Sequence, residues 1–170
     1  RRPCQDRGRL PIFQVEVMPQ KAASQISANA LYDRDYVLWV ERTVADLRAG
    51  NLQNLDLENL IEEIEDMGSS QKHALIGNMQ IVLMHLLKYA SQPEKRSNSW
   101  RFTLVEHRDR LQRAVKASPS LKRYASENLD GCYKKAVRFA SEEKGLPRST
   151  FPPQNPFTLE EVFDSDYLPE

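Results

Sequence analysis

Cysteine is scarce: the 170-residue chain has two, Cys4 and Cys132. Two thiols make neither a disulfide framework nor a tetrahedral zinc site, and so low a count is read as a reducing, cytoplasmic setting. Long apolar runs are missing as well. The longest, Ile81 to Leu87, is broken by His85 and falls far short of the ~20 residues that a membrane helix needs. No apolar segment follows the N-terminal arginines to make a signal peptide. The six glycines are scattered, which excludes a Gly-rich phosphate loop or dinucleotide turn, and no motif calls for a cofactor. Neither sign of charge is in excess: 24 Lys plus Arg meet 24 Asp plus Glu. The global basic field of a typical nucleic-acid binder is therefore absent.

What is present is helical periodicity. Tyr36, Trp39, Val40, Thr43 and Leu47 recur at helical spacing, and Gly50 is the expected terminator. Asp56 is an N-cap candidate for a helix whose stripe is Leu57, Leu60, Ile61, Ile64 and Met67. Gly68, Ser69 and Ser70 predict a break, with Ser69 or Ser70 capping a further helix. That helix carries the widest apolar face, Leu75, Ile76, Met79, Val82, Leu83, Leu86, Leu87 and Ala90, and Pro93 closes it. Ser97 or Ser99 caps a fourth helix with Trp100, Leu104, Leu111 and Val115 inward. Pro119 suits the first turn of a fifth, which turns Leu121, Ala125, Leu129, Cys132, Ala136 and Ala140 inward and ends before Gly145 and Pro147.

Five of the ten prolines fall between residues 146 and 170, which forbids a long helix there. Thr158 with Glu161 predicts one short capped turn. Phe151, Phe157, Phe163 and Tyr167 predict a tail lying on the body. The fold expected is all-α: an up-and-down bundle of about five helices over residues 31–170, with this Pro-rich tail packed on it. Residues 1–30 read as an irregular or disordered extension with at most a short strand over Ile12 to Val17. The chain opens on Arg1, and Met18 is the expected natural start.

The consecutive blocks LYDRDYVLWVERTVADLRAG, LDLENLIEEIEDMGSS, LMHLLKYASQPEKRSNSWRFTLVEHRDRL, SPSL and GLPRSTFPPQNPFTLEEVFDSDYLPE carry a resemblance. Together they resemble the bacterial domain-of-unknown-function family 29, frequent in cyanobacteria, over about Leu31 to Glu170. The resemblance implies a small all-helical bacterial protein and no nameable activity. Family members often carry glutamine where this chain has His107, between Glu106 and Arg108.

Three constellations are candidates for chemistry. Asp56, Glu58, Glu62, Glu63, Glu65 and Asp66 place six carboxylates in eleven residues. Most read as a solvated helix face, Glu63 as a shoulder residue. No Glu-x-x-His occurs, so the paired-metal bundle site is not formed. A single divalent ion on Glu62, Glu63 and His85 is the metal candidate. His85, at the edge of the apolar stripe, reads first as a structural residue whose pKa Glu63 would raise if the two faced each other. From Glu94 to Arg123, nine Lys or Arg stand against three acids, a local excess of six positive charges. This segment reads as balance for the acidic helix and tail, or as a phosphate-contacting face. Arg96, Arg101 and Arg108 are its candidates for a buried ion pair or anion site.

Two functions follow. The first is a non-catalytic interaction or regulatory module with a protein partner or a second copy of itself, without a membrane. The second is a hydrolytic enzyme on nucleic acid or another phosphate-containing substrate, using Glu62, Glu63, His85, Arg96, Arg101 and Arg108. Convergence of those side chains in one concave site separates the two.

Overall fold

A computed structural model describes residues 28–170. Six α-helices appear, α1 (Ala28–Arg34), α2 (Tyr36–Ala49), α3 (Leu57–Ser91), α4 (Asn98–Ala117), α5 (Ser120–Lys144) and α6 (Leu159–Phe163), with short 3-10 turns between them and no strand among the described residues. The all-α bundle expected from periodicity is the fold found. No described helix is long and apolar enough to cross a membrane. The strand reading at Ile12 to Val17 and the start at Met18 lie outside the described residues. The chain divides into two compact units, one ending at Leu60 and one running from Ile61 to Glu170.

In the first unit, helix begins at Ala28, ahead of the periodic run that opens at Tyr36. Asp35 separates α1 from α2 and caps the latter, its carboxylate accepting the Leu38 N–H at 3.0 Å. Gly50 ends α2 as expected, in the left-handed region (φ 74°) where a Cβ would be strained. Trp39 and Leu31 are buried. Tyr32 meets Trp39 edge-on at 4.9 Å between centroids, and Tyr36 stacks on Trp39 at 5.8 Å. Asp56 precedes α3, as predicted, and accepts from the Asn59 side chain at 2.7 Å.

The core of the second unit is made of the predicted stripes. Leu75, Met79, Val82, Leu83, Leu86 and Leu87 of α3 are buried with Leu104 and Leu111 of α4 and with Leu121, Ala125, Cys132, Ala136 and Ala140 of α5. Ser97 caps α4, accepting from the Trp100 N–H. Thr158 and Glu161 form the predicted capping box of α6. Phe151, Phe157 and Val162 are buried in the same core, so the tail packs on the body.

Two expectations are corrected. No break occurs at Gly68–Ser70, because α3 is one helix of 35 residues, about 50 Å long. A helical glycine costs only about 1 kcal/mol relative to alanine, too little to stop a helix whose downstream face is buried. The stripe before the predicted break is also not covered. Ile61, Ile64 and Met67 are 56%, 60% and 67% exposed.

Candidate functional site

From the second half of α3 to just past its end, a line of polar residues runs from the surface into the bundle. Gln71, Asn78, His85 and Gln92 recur every seventh residue. On an α-helix that step drifts by only about 20°, so the four share one face, and Lys88 lies beside them. Ser118, at the C-terminal end of α4, donates to Gln71 at 3.1 Å. Asn78 donates to the Ala74 carbonyl, which leaves its oxygen as the acceptor for His107 Nδ1 at 2.6 Å. These bonds set the register between α3 and the antiparallel α4, as isolated polar positions do in coiled coils.

At the far end of the line, Lys88 is the chief buried cation of α3, only 2% exposed. Its Nζ donates to both carboxylate oxygens of Glu143 on α5, at 2.9 and 3.0 Å. It also lies over the Trp100 ring, 4.6 Å from the centroid. A buried charge must be paired, and a desolvated cation–π contact adds about 2 kcal/mol. With its hydrogens engaged in this way, Lys88 ties three helices together and is no free nucleophile. One turn on, Gln92 is 3% exposed, and neither atom of its amide has a hydrogen-bond partner among the described residues.

His85 is buried and donates from Nδ1 to the Ile81 carbonyl at 2.9 Å, a bond that fixes its tautomer and leaves Nε2 with the lone pair. Burial lowers its pKa, and Lys88 and His107 lower it further, while the Ile81 carbonyl and Glu143 oppose the shift. Burial also lowers the pKa of His107, reinforced by Arg110 and opposed by Glu106. The expected influence of Glu63 on His85 has no geometric basis. Glu62 and Glu63 precede His85 on the same helix by more than twenty residues, about 33 Å for Glu63. Glu62 is exposed and Glu63 half-buried. No group of three or more His, Cys, Asp or Glu among the described residues is placed to hold a metal ion.

The arginines hold the tail. Arg108 is fully buried. Its Nε donates to the Val162 carbonyl at 3.1 Å, Nη2 to Glu161 at 2.8 Å and Nη1 to Tyr167 at 2.8 Å. Glu161 and Val162 belong to α6, whose last carbonyls have no intrahelical donor, so the guanidinium caps that helix and meets its negative end. Arg96 stacks on Tyr89 at 4.4 Å and donates to the carbonyls of Tyr89 and Pro169. Gln112 donates to the Phe163 carbonyl at 2.8 Å. Arg101 is exposed on α4. The six candidates are therefore not one constellation: two acids stand far along α3, one histidine lies in the polar line, two arginines are spent on backbone carbonyls, and Arg101 is exposed. Sequence reasoning missed Lys88–Glu143, which no local pattern marks, and Gln92, for which the seven-residue polar spacing along an apolar helix was the available signal.

Compared with known proteins, residues 31–168 match the family model of the domain of unknown function DUF29. No curated protein matches the chain, and no solved structure does.

Proposed function

The chain belongs to the DUF29 family, and on that premise we propose that it is a non-catalytic interaction or regulatory module whose partner is a protein. The observation that carries this reading is where the apolar side chains lie. Large ones stand on the surface at helical spacing: Ile61, Ile64 and Met67 on α3, and, within the first unit, Val37, Val44 and Leu47 on α2. Runs of exposed apolar residues of this kind mark interaction sites. The polar side chains best suited to chemistry support the same reading. Lys88, Arg96 and Arg108 are engaged with Glu143 and with main-chain carbonyls.

The setting belongs to the proposal too. A bacterial cytoplasm agrees with a buried free thiol at Cys132. The test is sedimentation velocity and affinity capture with the full chain, wild type beside Ile64→Lys. Self-association or a retained protein that the substitution abolishes is the expected result. A strict monomer that retains nothing overturns the reading.

A further inference from the structure

Where the Pro-rich tail lies beside α5, two adjoining hollows of the second unit differ in charge. We propose that together they bind a nucleoside monophosphate. The site goes beyond the reading of the chain as a protein-binding module and does not depend on it.

The first hollow has a volume of about 590 Å3, the size of a small-ligand site. Lys134 and Val137 of α5 line it, with Arg148, Ser149, Pro152 and Pro153 of the tail, and no acid is among its lining residues. Its two sides are tied to each other. The Tyr133 hydroxyl donates to the Pro152 carbonyl at 2.7 Å, and Phe151 anchors the tail in the core. The hollow is therefore formed before a ligand arrives.

Charge selects the occupant. Lys134 is exposed and has no ion pair among the described residues. Arg148 reaches Glu142 only at 4.0 Å, with both side chains exposed, and such a contact contributes little. A carboxylate would neutralise one of the two cations and leave the other. A phosphate monoester carries close to two negative charges at neutral pH, and its oxygens suit the planar fork of an arginine.

The second hollow, of about 420 Å3, shares Tyr133, Lys134 and Pro153 with the first and adds Asp130, Gln154 and Asn155. The Asn155 side-chain oxygen accepts from the Phe157 N–H at 3.0 Å, so its amide N–H groups are left as donors. A carboxylate beside amide donors suits the hydroxyls and ring edges of a nucleoside and repels a second phosphate. Val137, Pro152 and Pro153 offer apolar surface to the face of its ring. Inorganic phosphate lacks the body that this groove fits, and a free nucleoside lacks the charge.

The test is calorimetric titration of the full chain with adenosine monophosphate, adenosine, phenyl phosphate and inorganic phosphate. Adenosine monophosphate is expected to bind, to weaken as salt rises, and to exceed each of the other three by about tenfold or more. The Lys134→Ala/Arg148→Ala double variant should abolish its binding. Asp130→Ala should weaken adenosine monophosphate and spare phenyl phosphate. Lys122→Ala, which removes a cation of α5 outside both hollows, should change nothing. All four positions are exposed, and a thermal melt checks that each variant is folded. No binding of adenosine monophosphate at millimolar concentration overturns the proposal, as does binding that the double variant retains. Any of the other three probes binding as tightly as adenosine monophosphate overturns it too. None of these outcomes bears on self-association or protein capture, by which the interaction-module reading is judged.

Discussion

The two ends of α3 follow one rule of sequence and meet opposite fates. Ile61, Ile64 and Met67 recur at helical spacing, as Met79, Val82, Leu83 and Leu86 do. The later set is sealed against Leu104 and Leu111 of α4 and Ala125 and Ala136 of α5, while the earlier set faces solvent. Periodicity is a local property that states that a helix has an apolar side. Whether that side is covered depends on which residues the rest of the chain brings to it, and no local pattern carries that information.

The sharpest way to break the comparison is to truncate one residue from each end. Leu86→Ala should lower stability by about 2–5 kcal/mol, because it removes apolar contact and leaves a cavity. Ile64→Ala should change stability by no more than about 0.5 kcal/mol, since little burial is lost. Paired urea melts measure both, and equal losses would show that the earlier stripe is covered.

Arg108→Met comes next, at about 2–4 kcal/mol, because it strands the carbonyls of Glu161, Val162 and Tyr167 without their donor. Hydrogen exchange should show lost protection in α6 ahead of α3.

Gly68 lies between the two ends, and a Cβ added there meets nothing within 4 Å. In a continuous helix, Gly68→Ala should therefore stabilise by about 0.5–1 kcal/mol. A destabilising result in a thermal melt would mean that the helix breaks at Gly68.

The smallest effect is one of pH and belongs to the buried end alone. His85 and His107 have pKa values lowered from 6.5 in the folded chain. Below about that pH the unfolded chain binds protons that the folded chain refuses, so stability falls on acidification and recovers as pH rises. Melts between pH 7.5 and 5 should show this, with a shallower slope in His85→Gln.

Much of the fold could be read from residues because its signals are local. The capping box at Thr158, the stop at Gly50 and the inward face of α5 each lie within a few turns of the chain. The continuity of α3 could not, because Gly68, Ser69 and Ser70 carry penalties of about 1 kcal/mol or less apiece and the deciding contacts are tertiary. The site was harder still. Lys88 and Glu143 are 55 residues apart, and nothing near either announces the other. Arg108 was read as a partner for a carboxylate or an anion, yet its acceptors are main-chain carbonyls, which every residue possesses and no sequence marks.

Arg108 also orders events in time. Its acceptors lie 53, 54 and 59 residues further along the chain. During synthesis α4 is therefore made with a cation that has no home until residues 161 to 167 emerge. Until then the guanidinium must stay in water, and the helix bearing it cannot close fully over its neighbours. Residues 161 to 167 are thus the keystone of this unit, and a ribosome stalled before them would hold a chain with its hydrophobic interior still open.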